Sequence, residues 1–255
     1  MTTVTNLILK AAAAENGEED PGGAVGGGSG TSSSSRRRST LGLDLGNGSQ
    51  VVCVARFLGY QESWDYFHYL NKHIPWTRPT IRVFGRSSVQ PRDVCYVASE
   101  GLPDLAYSGY QPHAHSWDEF PPLKDILEAV HNALPGSCFN SLLLNRYKGG
   151  SDCVSWHADD EKLYGPTPEI ASVSFGCERE FLLKRKPGKN FRAKKRAEGK
   201  RPRVAEQHSF TLKHGSLLVM RGYTQRDWLH SVPRRAKAQS TRINLTFRLV
   251  PSHAG

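Results

Sequence analysis

Beyond Phe139 the sequence breaks into eight short runs, mostly alternating polar and apolar, and this rhythm constrains the fold more than any other feature. The runs are Leu142 to Tyr147, Cys153 to His157, Ile170 to Phe175, Glu180 to Arg185, His208 to Leu212, Ser216 to Met220, Trp228 to Val232 and Ile243 to Leu249. A period of two belongs to strands, and short strands separated by Gly and Pro turns predict a sandwich or barrel. Upstream, apolar residues recur at helical intervals in Arg56 to His73 (Phe57, Leu58, Trp64, Phe67, Leu70) and in Pro121 to Leu134 (Leu123, Ile126, Leu127, Val130, Leu134). The expected class is therefore mostly β with flanking helices (α+β).

The chain has 255 residues, of which 38% are apolar, enough for one core of about 200 residues and a tail. From Ala11 to about Gly48 it is rich in Ala, Gly and Ser and poor in aromatics, so residues 1–50 are expected to form a disordered tail. Folded sequence is expected from Val51. Arg36, Arg37 and Arg38 close a serine run as a solvated charge cluster, a weak nuclear address or a phosphate contact. Lys184 to Arg203 is dense in Lys and Arg and reads as a long basic loop between two strands. Lys and Arg total 34 against 24 Asp and Glu, a formal charge of +10, which nominates a polyanion such as nucleic acid as partner. Five widely spaced cysteines without paired spacing suggest a reducing compartment. No stretch is long enough to span a membrane.

His157 and Asp159 stand at i and i+2, so in a strand their side chains leave the same face and can chelate one ion. His230, in the distant run Trp228 to Val232, is the best third ligand. Two histidines and one carboxylate leave open positions on an octahedral iron(II) for a bidentate co-substrate and for oxygen. By itself a His-x-Asp pair is a weak signal, more often a surface or structural feature than a metal site. His113 and His115 share the same spacing, but without a strand context they read as a loop.

Arg242 to Leu249 alternates without exception, so Arg242, Asn244, Thr246 and Arg248 share one face. The face is either an ordinary wet side of a half-buried strand or a recognition row. Two guanidinium forks suit a small dicarboxylate, and Asn145 and Tyr147, ahead of the Lys148-Gly149-Gly150 turn, are placed to complete such a pocket.

Together, Asn145-Arg146-Tyr147, Gly150, Asp152, His157-Ala158-Asp159-Asp160-Glu161, His230 and Arg242 to Arg248 resemble the AlkB dioxygenases, over roughly Val51 to Val250. Val83-Phe84-Gly85-Arg86 and Ala171 to Gly176 resemble most the duplex-acting subgroup, AlkB homologue 2. The resemblance implies a double-stranded β-helix (jelly roll) core at about 139–250 and a nucleotide-recognition lid at about 75–112, within a domain 51–255. It implies iron(II) on His157, Asp159 and His230, and 2-oxoglutarate against Asn145, Tyr147, Arg242, Thr246 and Arg248. Arg242 would take the distal carboxylate and Arg248 would support the end near the metal. Asp160 would face a cationic damaged base, Tyr107 would stack on it, and Phe84, flanked by Gly85 and Arg86, would wedge into the gap left by the flipped base. Leu105 stands where the subgroup tends to carry an aromatic, which leaves the lesion preference open.

The activity implied is oxidative dealkylation of N1-methyladenine, N3-methylcytosine and related adducts, including etheno bases. O2 and 2-oxoglutarate would be consumed and formaldehyde, succinate and carbon dioxide released. The implied partner is alkylated DNA, duplex in form, met by a monomer in the nucleus. An RNA demethylase of the same fold and a nucleic-acid-binding module without catalysis stand as alternatives.

Overall fold

In a computed structural model of the chain, the residues described are 40–83, 85–187 and 206–251. The strands and helices are β1 (Thr40–Gly46), β2 (Ser49–Val54), α1 (Tyr60–His73), β3 (Thr80–Val83), β4 (Arg86–Val89), β5 (Asp93–Ala98) and β6 (Ala114–His115). There follow α2 (Pro122–Ala133), β7 (Ser141–Tyr147), β8 (Val154–His157), β9 (Ile170–Gly176), β10 (Arg179–Arg185) and β11 (Gln207–Leu212). The chain ends through β12 (Ser216–Gly222), α3 (Thr224–Asp227), β13 (Trp228–Val232) and β14 (Arg242–Arg248).

Among the described residues the strands form an eight-stranded sheet, β1-β2-β12-β9-β14-β7-β5-β6, a four-stranded sheet, β11-β10-β13-β8, and the separate hairpin β3-β4. Both faces of the large sheet are covered. Ile243, Leu245 and Phe247 of β14 share a core cluster with Leu70 of α1 and with Leu123, Ile126 and Val130 of α2. On the other face, Ile170 and Leu218 meet Phe181, Leu183, Phe210 and Trp228 of the small sheet. Full burial of each such side chain contributes about 1.5–3 kcal/mol. This two-sheet sandwich is the expected jelly roll, and its strands β7 to β14 begin and end within a residue or two of the eight runs.

The sheet-on-sheet layer also buries the polar row: every residue of β14 is buried, Arg242 and Arg248 included. The alternation therefore does not expose a wet face. It divides a wholly buried strand into an apolar side under the helices and a polar side inside the sandwich.

Four expectations are corrected. Residues 40–50, read as tail, belong to the fold, because β1 pairs with β2 along its length, Thr40 opposite Val54 and Leu43 opposite Val51; the rest of the expected tail, 1–39, lies outside the described residues. Helix α1 starts at Tyr60 and not at Arg56, since Arg56 adopts φ 54° and the Gly59 amide donates to the Glu62 carboxylate at 3.1 Å as an N-terminal cap. At His113 and His115 the loop contains the short strand β6, parallel to β5, and His115 Nδ1 lies 2.9 Å from the Glu119 carboxylate. The basic insertion begins later than read, with Lys184 and Arg185 inside β10. Its remainder from 188 to 203, like Arg36, Arg37 and Arg38, lies outside the described residues. All five cysteines are free thiols, and no helix among the described residues is long and apolar enough to cross a membrane.

The stem of the β3-β4 hairpin is fastened to the core by charge. Arg78 donates through Nε to Asp93 at 2.6 Å and through Nη2 to Asp152 at 2.7 Å, while Arg146 of β7 donates to the same Asp93 at 2.8 Å. Behind the site, Gly150 packs so close to the Arg235 carbonyl that a Cβ would overlap it. The turn after β7 is thereby fitted to the segment that follows β13.

Candidate functional site

Strands β8 and β13 are antiparallel neighbours with His157 directly opposite His230, and the ring centroids stand 4.1 Å apart. Asp159 completes the group, with Oδ1 3.6 Å from His157 Nε2 and 3.9 Å from His230 Nε2. One ligand atom from each of the three falls within 4.8 Å of the others. Nδ1 of His157 lies 2.8 Å from the Ser155 carbonyl, which fixes the proton on Nδ1 and turns the Nε2 lone pair inward. The Asp159 backbone amide donates to Gln225 Oε1 at 3.0 Å, so the short helix α3 anchors the backbone that carries the carboxylate.

The protonation states suit a metal. Burial drives the pKa of both imidazoles down, that of His230 to about 3, leaving them neutral ligands. For Asp159, burial alone would raise the pKa. The Arg248 guanidinium and the two histidines outweigh that and hold the carboxyl well below the usual range. Arg248 donates to Asp159 Oδ2 through Nη2 at 2.7 Å and Nε at 3.3 Å.

Behind this group lies a cavity of about 100 Å³ lined by Asn145, Tyr147, Thr246, Arg242 and Arg248, as well as by all three ligands. Its floor follows from register: Arg242 stands opposite Tyr147 and Asn244 opposite Asn145. Arg242 is 1% exposed. Its Nη2 donates to Asn244 Oδ1 at 2.6 Å and to Ser174 Oγ at 3.0 Å, but Nε and Nη1 are buried without an acceptor. Burial lowers its pKa, the mark of a cation without a carboxylate beside it. A buried guanidinium with two idle donors fits a ligand carboxylate, and the donor set as a whole fits a small dicarboxylate beside a divalent ion.

The structure brings His157, Asp159, His230, Asn145, Tyr147, Arg242, Thr246, Arg248 and Tyr107 to one cavity. It does not bring Asp160 there. That side chain is exposed, and Lys186 Nζ donates to it at 3.2 Å. Glu161 lines the cavity instead. Its Oε2 is buried without a partner, and burial, then Asp159, pushes its pKa up. The sequence held a signal in spacing alone, since Glu161 follows Asp159 at the same two-residue step that separates Asp159 from His157, although β8 ends at His157 and both acids lie in the segment after it. Arg92, which donates to Asn145 Oδ1 at 2.6 Å, and Tyr164, under the Arg248 guanidinium at 5.2 Å, also line the cavity. Arg92 comes from a loop and Tyr164 from a single 3-10 turn, Lys162–Tyr164, and neither carries a period. Gly85 and Arg86 are exposed on the hairpin, where Gly85 takes φ 77° in the turn, and Phe84 lies outside the described residues.

A sequence profile of the 2OG-Fe(II) oxygenase superfamily matches residues 50–248. The chain is a 2OG-Fe(II) oxygenase. The resident metal and co-substrates of this oxygenase are accordingly Fe(II), 2-oxoglutarate and O2, which the donor set above fits. The oxygenase is 68% identical over 217 residues to the DNA oxidative demethylase ALKBH2 of Arabidopsis thaliana, covering 82% of this chain and 68% of that one. To the human DNA oxidative demethylase ALKBH2 it is 36% identical over 197 residues, covering 75% and 70%. To the alpha-ketoglutarate-dependent dioxygenase alkB homolog 3 of Bos taurus it is 35% identical over 204 residues, covering 79% and 66%. The oxygenase thus spans about two thirds of the length of these relatives.

Proposed function

We propose that this oxygenase removes alkyl groups from damaged bases in DNA by oxidation, with duplex DNA as its preferred form. The observation that carries the reading is the pairing of a His157-Asp159-His230 group with a buried, half-idle Arg242 at the back of the same cavity. The names of relatives such as the Arabidopsis protein, a DNA oxidative demethylase, support the substrate class. The exposed hairpin supports the duplex form. Val83 and Val89 are 39% and 59% exposed on a hairpin that also carries Arg82 and Arg86, and exposed apolar side chains beside cations are suited to meeting a base stack and its phosphates where a flipped base has left a gap.

Bound Fe(II), 2-oxoglutarate and O2 would supply the oxidising chemistry that takes an N-alkyl group off as formaldehyde and leaves the unmodified base. The protein's own groups bind, orient and exclude water. His157, Asp159 and His230 hold the metal, and Arg248 fixes which Asp159 oxygen is free by engaging the other. Arg242 receives the distal carboxylate on Nε and Nη1, with Asn145, Tyr147 and Thr246 completing the walls. Tyr107 stacks on the flipped base. Glu161, with its unpaired buried oxygen, takes the role first read for Asp160 and faces the cationic ring of N1-methyladenine or N3-methylcytosine. As corollaries we assign residues 75–112 to a recognition lid, a monomeric state, and a nuclear location where the substrate lies.

The test is to load the protein with Fe(II) and 2-oxoglutarate and supply O2. One N1-methyladenine is presented in duplex DNA, single-stranded DNA or RNA, and formaldehyde and the base mass are read. Fastest demethylation of the duplex is expected. Faster turnover of RNA would move the substrate, and no demethylation of any nucleic acid would overturn the reading.

A further inference from the structure

Gln90 follows the last residue of β4 and is fully buried. Its amide donates to the Pro79 carbonyl at 2.8 Å, closing the base of the hairpin one step below the Thr80-Val89 pair. Its side chain leaves the hairpin altogether. Oε1 accepts from the Tyr107 hydroxyl at 3.3 Å, and Nε2 is buried without an acceptor. A fully buried carboxamide whose bond runs to the hydroxyl of a cavity-lining ring does little for the hairpin itself, so its use is on the Tyr107 side.

A second contact joins the same two segments. Tyr107 and Tyr110 exchange backbone bonds at 3.0 and 2.9 Å to form a tight turn, in which Ser108 takes φ 47° and Gly109 φ 70°. The Arg82 amide of β3 donates to the Ser108 carbonyl at 2.7 Å. A Cβ on Gly109 would meet the Arg82 side chain at 3.5 Å, so the turn lies directly against the strand. The ring that lines the cavity is therefore bonded to the hairpin twice, by backbone at Ser108 and by side chain at its own hydroxyl.

We propose that Gln90 is a positioning residue that sets the Tyr107 ring against the damaged base and makes that ring move with the β3-β4 hairpin. Engagement of DNA by the hairpin is thereby transmitted to the wall of the lesion pocket. Gln90 touches neither base nor metal and acts through Tyr107. The inference rests on the proposed function, because it gives Tyr107 a base to meet.

The test is a double-mutant cycle on the full chain loaded with Fe(II) and 2-oxoglutarate, acting on a duplex bearing N1-methyladenine. It uses Gln90→Met and Tyr107→Phe, which keep volume and remove only the hydrogen bond, and the double variant. Each single change is expected to raise KM about fivefold with kcat unchanged, the size of one neutral hydrogen bond, and the double change to raise it no further. Effects that multiply in the double variant, or an unchanged KM in Tyr107→Phe, would overturn the proposal. Melting curves identify a variant that fails to fold, and if Gln90→Met does, Tyr107→Phe alone decides by its KM. A wild type that demethylates no nucleic acid sinks the functional reading and this inference together, whereas an active wild type with multiplying effects sinks the inference alone.

Discussion

Replacing Arg242 by Met should leave the ligand-free protein nearly as stable as the wild type and abolish its response to 2-oxoglutarate. In the folded chain Nε and Nη1 are buried without acceptors, each at a desolvation cost of about 1–3 kcal/mol. Against that stand the two bonds from Nη2 to Ser174 and Asn244, worth about 1.5–3 kcal/mol each for a charged donor. The terms nearly cancel, so the variant should melt within about 5 °C of the wild type. Asn244 Oδ1 keeps the Ser172 hydroxyl at 2.9 Å, and no carboxylate is stranded. With a redox-inert divalent metal and 2-oxoglutarate at a hundred times its Kd, the wild type should gain about 2.7 kcal/mol, an upward shift of about 5–10 °C by scanning calorimetry. The variant forfeits two charge-assisted bonds, about a hundredfold or more in affinity, and should not shift. A ligand-free loss above about 3 kcal/mol, the mark of a broken buried ion pair, would refute the account, as would a 2-oxoglutarate shift that survives.

Asp159→Ala should behave in the opposite way, losing metal and also about 3–5 kcal/mol in urea titrations, because it leaves the Arg248 cation buried without its partner. His157→Ala removes a side chain that is 36% exposed, so it should abolish metal binding in calorimetric titration with little change in the urea midpoint. The imidazole of His230, 7% exposed, stays neutral in the fold down to about pH 3, whereas an unfolded imidazole protonates below about pH 6.5. The unfolded state binds more protons in that window, so stability should fall on acidification from about 6.5 toward 3 by up to about 1.4 kcal/mol per pH unit. A His230→Asn variant with the same slope would exclude that cause. Glu161→Gln should raise KM for an N1-methyladenine duplex about tenfold by removing a charge beside the cationic ring, while Asp160→Asn, already engaged by Lys186 in solvent, stays within about twofold. Equal effects in the two steady-state assays would contradict their placement.

Much of the site was legible because strand periodicity is a local property. The row from Arg242 to Arg248 follows from the period of two of β14, and the two-residue step from His157 to Asp159 pointed to the pair although β8 ends at His157. The same step reaches Glu161, and departing from it put Asp160 on the wrong side. Strand β1 was legible as well, since Leu41, Leu43 and Leu45 alternate, but a stretch rich in Ala, Gly and Ser and poor in aromatics made it read as tail.

The sequence by itself thus determined the class of fold and the chemical kinds of residue on each face. Only the tertiary structure decided that the polar face of β14 is sealed between two sheets, and that Arg242 keeps two donors idle while Arg248 spends its own on Asp159. Only tertiary structure, too, tied the ring of Tyr107 to the hairpin through Gln90. The physical reason is range. Alternation is written between residues two apart, but the burial of a charge and the presence of its partner depend on segments as distant as Asp159 and Arg248, 89 residues apart.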